Sequence, residues 1–453
     1  MTQAIDTATG RPNELSRTLL PRHITMITIG GVIGAGLFVG SSATIAAAGP
    51  AALFSYMIAG AIVFVVMRML GEMALTHPQI RSFSEFSRAG LGHAGGFIAG
   101  WLYWYFWIVV VPVEAIAGAQ ILHLWIDLPV WQIGLVLMAV MTAVNLLSAR
   151  SYGEFEFWFS SIKVAAIIAF ILVTAAWAFG FTSPSGPTLS NLTAHGGFLP
   201  KGWAPVLAAV TTVFFSMVGP EITTVAAAES KDPERAVVRM ATSISWRILF
   251  FYVVSLFLIV AVVAWPAVKP GESPFTLALT TMGFRWGSAV MSFIILTAVL
   301  SCLNSAVYVC SRALHVLADQ GDAPRWLVEV NSRRVPARSI WLGSLVGVVG
   351  VVLAIVSPEG VFAFLISTSG TVILFVYLMT AVAHIRLRRR HPETETKPVK
   401  VWFFPWLSYG TVAAMCAVLI AMAVTPALAS QLWFSVLTLA IVVVAYLTLR
   451  KGR

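Results

Sequence analysis

Apolar runs of roughly 20 residues recur down this chain with only short polar breaks between them, and that recurrence leaves few folds open. A helix of that length crosses a hydrocarbon core of about 30 Å while making all its backbone hydrogen bonds internally. Twelve such runs are present, at about 23–48, 51–75, 94–126, 129–148, 155–180, 203–228, 241–265, 286–318, 339–356, 360–386, 403–424 and 430–449. Alternating segments of about ten residues, the mark of a membrane β-barrel, are absent. With 58% hydrophobic and 11% charged residues the chain reads as an all-α polytopic membrane protein of twelve transmembrane helices. Residues 1–22 are polar, with no short apolar run and no small-residue cleavage site, so the first span itself is expected to direct insertion.

The placement of Lys and Arg sets an expected orientation, because cytoplasmic loops retain positive charge. With the N-terminus inside, the inner segments carry Arg11, Arg17, Arg22, Arg68, Arg81, Arg88, Arg150, Lys231, Arg235, Arg239, Arg247, Arg325, Arg333, Arg334, Arg338 and the run from Arg386 to Lys400. The outer loops hold only Lys201, Lys269 and Arg285. The formal charge of +10 is thus accounted for by topology, without a nucleic-acid partner. Cys302 and Cys310 share one predicted helix and Cys416 lies on another, which implies neither a disulfide framework nor a metal site.

Two spans are interrupted. Span one carries Gly30, Gly31, Gly34, Gly36 and Gly40 in "IGGVIGAGLFVGSS", and span six sets Gly219 beside Pro220 in "FFSMVGPEITT". Proline removes a backbone donor and glycine tolerates dihedrals that other residues do not, so both helices are expected to break there. The glycines of span one alone would fit a close-packing face equally well. The second break changes the reading, because it falls five spans later. A five-span unit repeated once returns upside down, and paired breaks in inverted repeats are the pattern of secondary transporters, with the substrate site near the midplane. The division that follows is a cytoplasmic tail at 1–22, a first repeat at 23–180, an extracellular loop at 181–202, a second, inverted repeat at 203–386, a basic cytoplasmic loop at 387–402, and accessory helices eleven and twelve with the cytoplasmic C-terminus at 403–453.

A half-helix starting after Gly34, Ala35 and Gly36 would turn unpaired N–H groups and a positive dipole end toward a cavity, which suits a carboxylate. Carbonyls freed around Ser216 to Gly219 would suit an ammonium group. Ionisable residues inside spans are functional candidates by default. Glu114 follows Pro112 in span three and could meet a substrate amine or carry a proton. Glu221 follows the second break, where it could bond the loosened turn or contact substrate. Glu229, near the inner end, reads as a gate or salt bridge. Lys163 sits deep in span five, as a structural pair or as a coupling residue: an ammonium there could tie span one to span eight when charged and release them when neutral. Ser301, Asn304 and Ser305 of span eight are candidate neighbours, although such residues also serve as packing glue. Phe214 and Phe215 could close over a small ligand or simply pack. Arg68 and Glu72, four apart, are expected to pair, and Arg386 to Arg390 to form a solvated, lipid-facing cluster. No nucleophile, metal or acid–base constellation accompanies these residues, so an enzyme is not expected.

Five segments, "RHITMITIGGVIGAGLFVGSSATIAAAGPA", "GWLYWYFWIVVVPVEA", "SYGEFEFWFSSIKVAAIIAFI", "AAAESKDPERAV" and "SCLNSAVYVCSRALHVLADQGDAP", carry a resemblance. Over about residues 20–450 the chain resembles the bacterial amino acid permeases of the amino acid–polyamine–organocation (APC) superfamily, most closely their GABA (4-aminobutyrate) permeases. The resemblance implies a five-plus-five inverted-repeat fold of the LeuT/APC type in the bacterial inner membrane, with both termini cytoplasmic. It implies proton-coupled import of a small zwitterionic amino acid, GABA first. The proton is the coupling ion, no cofactor is needed, and the partners are the amino acid and the bilayer, with no obligate protein partner. By the same resemblance Ile33, Gly34, Ala35 and Gly36 hold the carboxylate, and Phe215, Ser216 and Gly219 lie near the amine. Phe215 matches an aromatic gate, Lys163 matches the lysine that replaces sodium in proton-coupled members, and Glu114, Glu221 and Glu229 match acidic positions of substrate binding or gating. An exchanger, a permease for another neutral α-amino acid and a transport-dead nutrient sensor share the fold. The "GAG" at Gly34 to Gly36 is the form shared by α-amino acid permeases, so chain length of the substrate stays open at this point.

Overall fold

The computed structural model describes residues 15, 18–77, 80, 82–227, 229–230, 232–390 and 399–451. Most of the predicted tail (1–14, 16 and 17), Arg81, Lys231 and 391–398 of the basic loop lie outside the described residues. The described residues are helical and joined by short connections. The helices are α1 (Pro21–Val32), α2 (Ala35–Phe38), α3 (Ser41–Ala48), α4 (Ala52–Thr76), α5 (Phe83–His123), α6 (Val130–Leu147), α7 (Ala149–Ala178), α8 (Asn191–Ala194) and α9 (Trp203–Met217). They continue as α10 (Ile222–Ala227), α11 (Pro233–Arg239), α12 (Ser245–Val262), α13 (Pro274–Thr281), α14 (Gly287–Asp319), α15 (Ala337–Leu353), α16 (Pro358–Arg390), α17 (Trp406–Val424) and α18 (Pro426–Lys451).

Among the described residues ten helical stretches are long and apolar enough to span a bilayer, so the chain is an all-helical, multi-span membrane protein. Predicted spans one and two share one of these stretches, Ala35–Thr76, with α1 outside it, and span nine falls outside the set. Span one is divided among α1, α2 and α3, and α15 is short for a full crossing. Several helices also begin earlier than their apolar runs. α5 starts at Phe83 rather than near 94, because Ser82 and Glu85 cap it reciprocally: the Glu85 amide donates to Ser82 Oγ (3.3 Å) and the Ser82 amide to Glu85 Oε2 (3.1 Å). The change of direction between this polar first turn and the apolar remainder falls at Gly92, at φ 80°.

Helix position in the bundle follows burial. The most apolar window of α14 is 83% buried and that of α5 78%, whereas that of α18 is only 11% buried, so α14 and α5 form the centre and α18 lies outermost. α5 packs along α14 and α16, and α7 lies against α1, α12 and α14. These contacts bring the α1–α2 junction, the α9–α10 junction, α5, α7 and α14 together.

Two surface expectations need correction. Arg68 and Glu72 do not pair. Arg68 donates to the Lys400 carbonyl (2.6 Å) and lies over the Trp402 ring, while Glu72 meets His384 (3.2 Å), Arg388 (3.1 Å) and the Val401 amide (2.5 Å). The helical spacing allowed the pair, but the returning segment at 399–402 offers both side chains fixed partners. Arg388 is accordingly drawn out of the supposed solvated cluster, stacking on Phe404 and pairing with buried Glu72.

Candidate functional site

Both predicted breaks are present, and they touch. α1 stops at Val32, Ile33 and Gly34 are extended, and α2 starts at Ala35. α9 stops at Met217, with Val218 extended and Gly219 at φ +133°, a conformation that side chains rarely adopt. A Cβ on Gly219 would lie 2.6 Å from the Gly31 carbonyl oxygen, and one on Gly36 would lie 2.8 Å from Ser216 Cα. Glycine at these positions lets two opened backbones meet directly. The Tyr252 hydroxyl of α12 sits between them, 3.0 Å from Val32 O and 2.6 Å from Ser216 O; its single proton can serve either carbonyl. Below the breaks, the Thr28 and Thr223 hydroxyls bond α1 to α10.

A cavity opens at this crossing. Its wall includes Gly34, Gly36, Glu114, Phe215, Ser216 and Cys302, and its volume of about 20 Å³ is room for roughly one water molecule. Glu114 is buried; its Oε1 faces Gly34 and Cys302, and Oε2 has no hydrogen-bond partner. Phe215 is half-buried on the wall, 6.1 Å from the Phe106 ring, while Phe214 is packed in the core. Ile33, Ala35 and Gly219 lie behind the wall rather than on it.

Lys163 of α7 reaches the back of the same break. Its Nζ donates to the carbonyls of Gly30 (2.6 Å) and Ile33 (2.9 Å) and to Ser301 Oγ (2.8 Å) of α14. All three ammonium protons are thereby satisfied in a fully buried site, and one side chain joins α1, α7 and α14. Asn304 accepts from Asn145 (2.9 Å), and Ser305 pairs with Tyr152 (3.1 Å), so these neighbours extend the polar contact along α14 without touching Lys163.

Glu221 and Glu229 serve the backbone and the bundle end. Glu221 Oε2 accepts from the Gly219 amide (3.0 Å) and from Tyr377 (2.9 Å); of its two sequence readings, the bond to the loosened turn is the one present, and it is off the cavity wall. Glu229 Oε1 accepts from Arg312 Nε (2.8 Å) and Tyr308 (2.8 Å), all three buried, while its carbonyl receives the Leu19 amide (3.1 Å). This layer closes one end of the bundle.

Three further residues were not singled out from sequence. Tyr252 carries no local signal, since it matters through partners far along the chain, whereas Arg312 carried one as a charge inside predicted span eight. Glu156 carried one too: it stands seven residues before Lys163, on the same face of α7.

The sequence as a whole finds relatives. Residues 23–451 match the family described as amino acid permease. A gamma-aminobutyric acid permease of Bacillus subtilis (strain 168) is 44% identical over 443 residues, covering 97% of this chain and 94% of that protein. The corresponding permease of Escherichia coli (strain K12) is 42% identical, covering 92% and 90%. An aromatic amino acid transport protein of Salmonella typhimurium (strain LT2) is 36% identical, covering 97% and 96%. Among solved structures, the Eremococcus coleocola manganese transporter is similar in fold, with TM-score 0.59 at 12% identity, covering 95% of this chain and 92% of that one.

Proposed function

The chain belongs to the amino acid permease family, and from that premise we propose that it imports a small zwitterionic amino acid together with a proton, 4-aminobutyrate being the first substrate. Greater identity to relatives named as GABA permeases, 42–44%, than to the aromatic carrier at 36% supports that choice. The architecture in this reading is twelve spans, with the first ten as two inverted five-helix repeats, the last two accessory, and both termini cytoplasmic. α1 to α3 make span one and α9 with α10 span six, so the two breaks hold corresponding positions.

In the mechanism, substrate enters between the breaks once the cavity widens. The amides at Gly34 to Gly36 take its carboxylate, and the carbonyl side of the α9 break together with Glu114 takes its ammonium. Phe215 closes over it, and Glu229 with Arg312 holds the cytoplasmic end shut. Lys163 supplies the coupling: as an ammonium it fastens α1 to α14, and as an amine it lets them part. The three hydrogen bonds of Lys163 at the break carry this reading. A zwitterion moving with one proton moves one net charge, so a potential of 100 mV adds about 2.3 kcal/mol to any pH gradient.

The test is uptake of labelled 4-aminobutyrate into proteoliposomes with an imposed pH gradient and potential. Accumulation should collapse with a protonophore, and Lys163→Ala should keep counterflow exchange while losing uphill uptake. Full accumulation by that variant, or without either gradient, would overturn the coupling. A competition panel of unlabelled amino acids orders the substrates.

A further inference from the structure

One face of α7 and one face of α14 meet in a polar seam, although the greater part of both helices is apolar. Tyr152, Glu156 and Lys163 come from α7, and Ser301, Ser305 and Tyr308 from α14, at helical spacing; none of the six is exposed. Polar groups inside a bilayer-spanning bundle are costly, and a continuous line of them marks a pathway. At one end Lys163 donates to Ser301 Oγ (2.8 Å), and Ser301 in turn donates to Glu156 Oε1. Ser160 also donates to that oxygen (2.9 Å), and Glu156 Oε2 has no hydrogen-bond partner. A turn further on, the Tyr152 hydroxyl meets Ser305 (3.1 Å) and its ring stacks on Tyr308 at 4.0 Å. Tyr308 donates to Glu229, where the seam reaches the closed end of the bundle.

Glu156 also lies directly beneath α1. A Cβ on Gly30 would come within 2.0 Å of its Oε1, so the carboxylate bears on the helix whose carbonyls Lys163 holds. The groups facing this pair are Glu114 of α5, Cys302 and Asn304 of α14, Tyr152 of α7 and, beyond Cys302, Tyr252 of α12; α1 presents the carbonyls of Gly30 and Ile33, and Asn145 of α6 donates to Asn304 from behind.

We propose that Glu156 is the proton acceptor of the coupling site, taking the proton of Lys163 through Ser301. In the step, one Lys163 Nζ–H bond breaks as a Ser301 Oγ–H forms, and the original Ser301 O–H breaks as its proton joins Glu156 Oε1. An ammonium and a carboxylate become an amine and a carboxylic acid, with no electrons gained or lost. The bonds to Gly30 and Ile33 then lose their charge assistance and α1 is freed. Glu156 gives its proton to water entering along the seam when the Glu229–Arg312 layer opens. The inference rests on the proton-coupled reading above and deepens it.

The experiment compares wild type, Glu156→Gln, Glu156→Asp and Ser301→Ala in proteoliposomes loaded for either counterflow or gradient-driven uptake of labelled 4-aminobutyrate. Glu156→Gln keeps an acceptor for Ser301 but no site for a proton. Its counterflow should persist, while its initial rate of proton-driven uptake falls by about a hundredfold, the scale of a removed proton acceptor. Glu156→Asp should recover much of that rate, and Ser301→Ala should lose it. The alkaline limb of the uptake profile of Glu156→Gln should move to lower pH, since the ammonium loses its counter-charge. Proton-driven uptake by Glu156→Gln at the wild-type rate and pH profile would overturn the proposal, as would a Glu156→Asp no better than Glu156→Gln. Should Glu156→Gln fail to reach the membrane, an undiminished Ser301→Ala overturns the relay by itself. Wild type that accumulates without any proton gradient would instead remove the coupled function, a separate result.

Discussion

Glu114 and Glu156 are both buried carboxylates near the same break, and their surroundings give them different work. Glu156 is held by two hydroxyls at the back of α1, whereas Glu114 is on the cavity wall with one buried oxygen unpartnered, and in the proposed mechanism it meets the substrate ammonium. Glu114→Gln keeps the shape and removes the charge. A hydrogen bond to a charged group contributes about 1.5–3 kcal/mol, so affinity for a zwitterion should fall by roughly ten- to a hundredfold. Equilibrium binding of labelled 4-aminobutyrate to purified protein reads this directly, and unchanged affinity would assign Glu114 to structure. Legibility at this scale depended on contrast. Glu114 stands out as the lone charge of an apolar run, and Lys163 because it lies deep in one, among apolar neighbours. Glu156 hides among the aromatic and polar residues at the start of span five, and its meaning depends on Ser301, 145 positions away. Tyr252 reads as one more aromatic in a membrane helix until the two carbonyls it bridges are placed beside it.

Among the elements, the broken helices were the most legible part, since Gly and Pro report a local backbone demand that needs no partner to be recognised. What each glycine touches was not legible. Gly36 meets the backbone of Ser216, so a methyl there has no flexible neighbour to displace. Gly36→Ala should cost about 1–3 kcal/mol of stability and most of the transport, whereas Gly410→Ala in α17, with nothing within 4 Å, should be neutral in both. Thermal unfolding in detergent and uptake in proteoliposomes measure the two effects, and equal behaviour of the variants would remove the close-approach argument. The early start of α5 teaches a related point. An apolar run marks where a chain meets lipid, while the Ser82–Glu85 cap marks where a helix begins, and the two differ by about three turns here. The four-residue spacing of Arg68 and Glu72 misled for the converse reason: it described one helix and could not know of the segment returning at 399–402.

For the molecule as a whole, the number of apolar runs and the charge asymmetry framed a multi-span bundle, while the layer at Glu229 became visible only in three dimensions. The end at Glu229 is shut by a buried ion pair, a tyrosine and the Leu19 backbone. Removing one member of a buried pair costs about 3–5 kcal/mol, because the other charge is left unpaired. Arg312→Ala should therefore shift the protein toward forms open at that end. Cys302 is a built-in reporter, since it lines the cavity while Cys310 and Cys416 can be replaced by Ala. In inside-out vesicles, a membrane-impermeant thiol reagent should modify Cys302 at least about tenfold faster in Arg312→Ala than in the parent. An equal rate would mean that the pair does not bar the entrance at Glu229, and faster labelling only in right-side-out vesicles would invert the proposed orientation.

The narrowness of the crossing between the two opened backbones bears on how any ligand must be judged. Space for a single solvent molecule excludes a four-carbon guest, so each occupant binds only a dilated form, and its apparent affinity is the intrinsic grip scaled down by the population of that form. Substitutions that loosen the clasp will then look like improved recognition while adding no contact at all.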